Sequence, residues 1–185
     1  MRKLTRAELF AEKKKIIPQL KDKIFIFPTD HGYSIGCDAN NSELIQKIRD
    51  AKSMRVKPLA IIPPSVKWIK ENCELKNGAE EELGLIEHEG EPHCVILELN
   101  LKNKEAISNK VNNNGKKLNV KMPEHWITDF VKELGYPIVS TSANVAGEDF
   151  ITKIDYLNDD LRSITSFAIK DTNLLTYPVK RIDLS

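Results

Sequence analysis

The residues that put the most chemistry into the least chain are Ser140, Thr141, Ser142 and Asn144. They follow Pro137-Ile138-Val139, an apolar run of strand character that is expected to stop at Ser140. Short hydroxyl and amide side chains are stiff hydrogen-bonding groups, able to hold a carboxylate, an amine or a phosphate oxygen. In open α/β sheets, ligands sit beyond the carboxyl ends of the strands, where these residues are expected. Ser and Asn also favour turns on their own account, so a plain strand-to-turn passage is the competing reading.

A second group supplies positive charge. Lys52, Arg55 and Lys57 lie between an apparent helix and the apolar run Leu59–Ile62. An arginine fork holds a carboxylate or phosphate through two hydrogen bonds, whereas lysine acts as a point charge. Such a cluster is expected to be exposed, and cations at a helix C-terminus are favoured in any case. A third stretch, residues 24–39, reads IFIFPTDHGYSIGCDA: an apolar strand, Pro28-Thr29-Asp30, then Gly36-Cys37-Asp38. Tyr33 within it fits either a pocket wall or core packing with a satisfied hydroxyl.

These groups need a frame. Thr5 and Glu8 have capping-box spacing, predicting a helix from about Arg6 that Pro18 ends or kinks. Ser42 can cap a second helix with Leu44, Ile45, Ile48 and Ala51 on its buried side. Pro63-Pro64 precede a helix carrying Val66, Trp68 and Ile69, and residues 79–89 read as an acidic, solvated helix. Cys94 to Leu99 is a near-continuous apolar run, as in a strand covered on both faces. Pro123 opens a helix containing Ile127, Phe130, Val131 and Leu134, which Gly135 stops. A helix around 152–162 and a strand at 166–169 follow. Residues 101–119, rich in Asn and Lys, form either a mobile lid or a solvated connection. Strands alternating with helices predict an α/β fold, a mixed sheet with flanking helices, in one domain over residues 1–185.

Composition narrows the function. A net charge of +1 demands no nucleic-acid partner, so basic surface must come from local clusters such as Lys13-Lys14-Lys15, Lys116-Lys117 and Lys180-Arg181. No run approaches a membrane span and the N-terminus has no signal-peptide core, so a cytoplasmic setting is expected. The 3 cysteines, Cys37, Cys73 and Cys94, form no CxxC pair and are expected as buried free thiols. His88, His93 and His125 show no ligand spacing, and no metal site is assigned. No GxxxxGK[ST] loop, strand-GxGxxG-helix unit, GxSxG elbow or HExxH is present.

Together PTDxxYxxGCDA and STSANxxG resemble the YrdC-like family of threonylcarbamoyl-adenylate synthases. KPLAIIPPS at 57–65, HCVILELNL at 93–101, LNVKMPEH at 118–125 and YPVKRID at 177–183 resemble further family segments in order, so the resemblance covers nearly the whole chain. It implies an open twisted mixed sheet with a ligand-binding concave face. It also implies an enzyme that joins L-threonine, bicarbonate and ATP, with Mg2+ accompanying ATP. The product passes to a threonylcarbamoyl-transferase partner for tRNA modification.

By resemblance, the amino-acid substrate is bound by Thr29, His31, Tyr33, Lys52, Arg55, Ser142 and Asn144. ATP is bound by Lys52, Lys57, Lys121, Ser140, Ser142, Asn144 and Lys180. No residue is assigned a covalent catalytic role, since the chemistry is positioning and electrostatics. The chain departs from the family pattern at four places. His31 stands where the family usually has Thr, Lys121 where it has Arg, and Val179 where it has Ser. The Lys52/Arg55 spacing to Pro58 is shifted as well. The alternative implied is a catalytically impaired paralogue that binds nucleotide, tRNA or structured duplex RNA. An enzyme acting on another carbamoyl or adenylate substrate is a third class, with no residue in its favour.

Overall fold

The computed structural model describes residues 1–54, 57–76, 78–88, 92–100, 103–171, 174 and 180–185, without the side chains of 87 and 88. The chain starts with strand β1 (Arg2–Thr5) and helix α1 (Arg6–Ala11). The capping box predicted at Thr5 and Glu8 is present in both directions: Glu8 N donates to Thr5 Oγ1 at 3.2 Å, and Thr5 N to Glu8 Oε2 at 2.7 Å. Thr5→Ala should lower stability by about 1 kcal/mol, read as a small drop in urea midpoint at constant slope. An unchanged midpoint would mean that β1 alone holds this end.

Pro18 does not end the helix. The break comes earlier, at Glu12, and α2 (Lys13–Leu20) contains Pro18 in its last turns. Pro18 lies on the exposed side, while Ile16 and Leu20 on the same helix are fully buried. Losing one peripheral backbone bond is outweighed by burying two aliphatic side chains, each contributing about 1.5–3 kcal/mol.

The remaining elements are β2 (Phe25–Thr29), β3 (Gly32–Gly36), α3 (Ser42–Ala51), β4 (Ala60–Ile62), α4 (Val66–Asn72), β5 (Cys73–Glu74) and α5 (Ala79–His88). Then come β6 (His93–Leu99), α6 (Asn109–Asn112), β7 (Lys117–Met122), α7 (Ile127–Leu134), β8 (Ile138–Ser142), a 3-10 turn (Ile154–Tyr156), α8 (Asp159–Ile164), β9 (Phe167–Lys170) and β10 (Lys180–Asp183). Asn41, not Ser42, caps α3, accepting from Leu44 N. The helix predicted at 152–162 divides into the 3-10 turn and α8, which Asn158 caps.

The strands form one sheet in the order β1-β9-β2-β3-β8-β4-β7-β6-β10, with β5 added beside β6. β1/β9, β9/β2, β4/β7 and β6/β10 are parallel; β2/β3, β3/β8, β8/β4 and β7/β6 are antiparallel. This is the mixed α/β sheet expected. It is also strongly curled. Asp30, just past β2, accepts a hydrogen bond from Glu124 N, just past β7, at 2.9 Å, although β3, β8 and β4 lie between those strands. In a flat sheet β2 and β7 would stand about 19 Å apart, four spacings of about 4.8 Å. Twist accumulated over successive strands folds the two ends together and makes one face concave.

Side-chain alternation assigns the faces. Ile26, Ile35, Ile61, Val95, Val120 and Val139 belong to one core with Leu44, Ile45 and Ile48 of α3. Phe25, Phe27, Ile62, Ile138 and Phe167 belong to a second core with Leu9, Ile16, Leu20 and Phe130 of the helices on the other side. The strand β6 departs from the prediction here. Val95 and Leu97 are fully buried, but Cys94 and Ile96 are only half-buried, so this strand is covered on one face and partly open on the other. The segment 103–116 is exposed at 103–105 and 113–116, as in a solvated connection, but is anchored at its middle. Ile107 and Val111 are core residues, and Leu59 N donates to Val111 O at 2.8 Å. Cys37 and Cys73 are buried free thiols, and Cys94 is a half-buried one.

Candidate functional site

The polar residues after Val139 are not beyond the strand; they are in it. β8 runs through Ser142 because β3 and β4 pair with it on both sides, Ser34 opposite Ser142 and Ala60 opposite Ser140. Alternation from Ile138 therefore places Ser140 and Ser142 on the second, curled face, beyond its aromatic core. Lys121, beside β4 on β7, shares that face. Its ammonium lies 3.4 Å from Ser140 Oγ.

Lys52 reaches the same strand end from α3. It is 1% exposed, which corrects the expectation of an exposed cation. The loop after β8 folds over the end of α3, with Ala146 N donating to Lys52 O at 3.3 Å, and the ammonium donates to the carbonyl oxygens of Ser142 and Asn144. Burial pulls its pKa down to about 8; Lys121 pushes the same way and Glu148 opposes. Burial likewise lowers the pKa of Lys121, against the pull of Cys94 and Asp30. Two ammonium groups within electrostatic reach of each other would each be stabilised by a nearby negative charge. Among the described residues neither forms a salt bridge with a carboxylate.

Asn144 is buried, and its amide Nδ2 donates to Glu148 O. Its Oδ1 is buried with no hydrogen-bond donor, which suits an incoming amine or hydroxyl. Thr29 has its hydroxyl engaged: it donates to Gly32 O at 2.9 Å and accepts from His31 N at 3.2 Å. His31 lines a cavity of about 10 Å³ with Asp30, Pro92, His93, Lys121 and Pro123. The ring of His31 packs against that of Phe150 at a tilt of 56°, centroids 4.5 Å apart.

The structure thus brings together Lys52, Lys121, Ser140, Ser142 and Asn144, with Thr29 and His31 on the adjoining edge. Tyr33 packs in the first core, and its hydroxyl donates to Asp171 O at 3.2 Å and accepts from Asp171 N at 3.1 Å, beside a separate cavity that it lines with Lys153 and Asp171. Lys57 is exposed. Lys180 is beside His93, whereas the residue beside Cys94, and hence on the face of Lys121, is Arg181. Arg55 and Val179 lie outside the described residues.

Sequence reasoning missed three contributors. Asp30 ties the end of β2 to Glu124; burial raises its pKa, and the Glu124 N–H and Lys121 resist that. Arg49, 4% exposed, donates to the carbonyls of Lys110, Met54, Lys57 and Val111. Arg181 faces Cys94. Only the register of β10, which no local pattern reveals, separates Arg181 from Lys180. Two of the basic clusters are partly neutralised, Lys13 by Glu133 at 3.0 Å and Lys117 by Asp183 at 3.5 Å. Among the described residues no group of three acidic, His or Cys side chains could hold a metal, and no helix is long and apolar enough to cross a membrane.

A curled mixed sheet with Lys52 and Lys121 beside the Ser140–Ser142 end of β8 defines an α/β domain whose candidate site lies at that strand end. The family model Sua5_yciO_yrdC, described as telomere recombination, matches residues 19–179, and the chain belongs to this family. It is 27% identical over 143 residues to a threonylcarbamoyl-AMP synthase of Bacillus subtilis (strain 168), covering 76% of this chain and 40% of the relative. To a threonylcarbamoyl-AMP synthase of Hydrogenovibrio crunogenus (strain DSM 25203 / XCL-2) it is 27% identical over 156 residues, covering 82% of this chain and 80% of the relative. A variant of P. abyssi Sua5 superposes with a TM-score of 0.81 at 21% identity, over 99% of this chain and 56% of that one. The same protein complexed with L-threonine superposes with a TM-score of 0.74 at 20% identity, over 91% and 49%. The chain therefore spans about half or less of the B. subtilis and P. abyssi relatives, and these structures establish the fold.

Proposed function

We propose that this chain is an L-threonylcarbamoyladenylate synthase acting on L-threonine, bicarbonate and ATP. The observation that carries the reading is the pair Lys52 and Lys121 at the Ser140–Ser142 end of β8. A reaction between an amino-acid carboxylate's owner and a triphosphate needs two anion subsites close together, and this pair supplies them. Lys52, with Ser142 and Asn144, takes the amino-acid carboxylate and the α-phosphate beside it. Lys121, with Ser140, takes the ATP phosphates. Asn144 Oδ1 accepts from the substrate amine. Mg2+ arrives with the triphosphate and is held chiefly by its phosphates.

In the proposed sequence the threonine amine condenses with bicarbonate, giving a carbamate and water. A carbamate oxygen attacks the α-phosphorus, and pyrophosphate leaves. The protein's share is to align these groups and offset developing negative charge with fixed donors. A transferase partner then consumes the mixed anhydride on tRNA, in the cytoplasm. The test is pyrophosphate release from ATP and bicarbonate with and without L-threonine. Threonine-dependent release is expected. ATP binding without release under any amino acid would favour the impaired, nucleotide- or RNA-binding paralogue instead.

A further inference from the structure

A cavity of about 350 Å³ lies around α6, between the end of β6 and the start of β7. It shares no lining residue with the site at the end of β8. Small-molecule sites span about 300–1,000 Å³, so this one has room for a small metabolite. Lys104, Lys116, Asn109, Asn112 and Asn114 line it, and among the described residues no Asp or Glu does. The two ammonium groups and the side-chain amides of Asn109 and Asn114 have no hydrogen-bond or ionic partner among the described residues. Asn112 is 5% exposed; its Nδ2 donates to Gly115 O, and its Oδ1 accepts from no described group. Ile107, a core residue, adds an apolar wall.

The backbone around the cavity is fixed. Asn114 N donates to Asn109 O at 3.0 Å, and Gly115 N to Asn112 O at 3.0 Å. Asn113 and Asn114 hold left-handed backbone, with φ of 54° and 62°, which asparagine tolerates better than most residues. Leu99 N donates to Lys116 O at 2.7 Å, closing the side next to β6. Two cations without a carboxylate favour an anion, and lysine binds phosphate as a point charge. Carboxamides both donate and accept, which suits hydroxyl groups. With one apolar wall, the lining matches a phosphate ester of a polyol.

The same segment is tied to the end of α3. Arg49 donates to Lys110 O at 2.9 Å and Val111 O at 3.2 Å, and also to Met54 O at 3.1 Å and Lys57 O at 3.0 Å. Lys52 lies between Arg49 and those last two acceptors in the chain. A ligand that holds α6 therefore holds the acceptors through which Arg49 fixes the chain on both sides of Lys52. We propose that this cavity is an effector site for a phosphate ester of a polyol, coupled through Arg49 to Lys52 so that effector and amino-acid substrate each tighten the other's binding. Such coupling is reciprocal by linkage. The cavity stands independently of the synthase reading; only the coupling rests on it.

The experiment uses the full chain, with ribose 5-phosphate, inorganic phosphate and ribose as probes, followed by amide NMR and calorimetry. Ribose 5-phosphate is expected to shift amides within 104–116 and to bind at least about tenfold more tightly than either fragment. The double variant Lys104→Gln/Lys116→Gln, changed at two exposed side chains, should weaken that binding by about tenfold or more. Saturating ribose 5-phosphate should tighten L-threonine binding by about fivefold or more in the parent, and Arg49→Lys should remove most of this gain. Shifts confined to residues 140–144, or none with any probe, overturn the site. Inorganic phosphate binding as tightly as the ester overturns its assignment to a polyol ester. Shifts at 104–116 with L-threonine affinity unchanged or weakened overturn the coupling. Shifts at 104–116 in a chain that binds neither L-threonine nor ATP uphold the cavity and sink the synthase reading.

Discussion

Arg49→Met is expected to lower stability by about 3 kcal/mol, several times a typical surface change. Arg49 is buried and donates from Nε to Lys110 O at 2.9 Å, from Nη1 to Met54 O at 3.1 Å and Lys57 O at 3.0 Å, and from Nη2 to Val111 O at 3.2 Å. Each charge-assisted bond contributes about 1.5–3 kcal/mol. Removing a buried guanidinium also removes its own desolvation penalty, which offsets part of the sum. A loss of about 3 kcal/mol corresponds to a fall in Tm of about 10 °C in a chain of this size. Methionine keeps the unbranched stem, so the change reports the lost donors more than lost packing. Arg49→Lys should recover only part, because an ammonium cannot span four acceptors spread over two segments. A Tm shift below about 2 °C in Arg49→Met would show that the carbonyls are satisfied without the fork.

Arg49 also illustrates what the sequence conceals. On α3 it reads as one more polar residue of an amphipathic helix, and its four acceptors come from segments up to 62 positions away. Nothing local marks a residue that is functional only through distant carbonyls. The register of β10 is concealed for the same reason: Lys180 and Arg181 are adjacent, similar and on opposite faces.

By contrast, the alternation of apolar runs and helical spacing disclosed the mixed sheet, and the Thr5–Glu8 spacing disclosed a cap. Gly36-Cys37-Asp38, read as part of a family motif, proves to be structural. A Cβ on Gly36 would lie 1.9 Å from Val139 O, Cys37 is buried, and Asp38 Oδ1 accepts from Asn40 N at 2.8 Å. Ser140, Ser142 and Asn144 stand out in the sequence as short polar side chains after an apolar run, but the strand continues through Ser142 because β3 and β4 pair with it on both sides. The burial of Lys52 was not legible, since a lysine at a helix end next to other cations looks solvated until the loop after β8 closes over it.

That burial leads to the prediction most specific to the site. The unfolded chain protonates Lys52 with a pKa near 10.5, the folded one near 8. Between those values the unfolded state binds more protons, so Lys52's contribution to stability rises with pH from about 8 to 10.5. Below 8 the full penalty of burying the charge applies, corresponding to about 3 kcal/mol. Anion binding runs the other way. ATP is fully ionised well above the phosphate pKa of about 6, and it favours the charged ammonium. Its affinity should be flat from pH 7 to 7.5 and fall towards tenfold per pH unit above 8. The two slopes are opposite in sign and share one group. Lys52→Met should flatten both, raise unliganded stability near pH 7, and weaken ATP binding by at least about tenfold there. Melting with and without ATP between pH 7 and 10 measures both at once. If parent and Lys52→Met show parallel pH profiles, Lys52 is not the group that couples folding to the anion, and Lys121 is left to hold it alone.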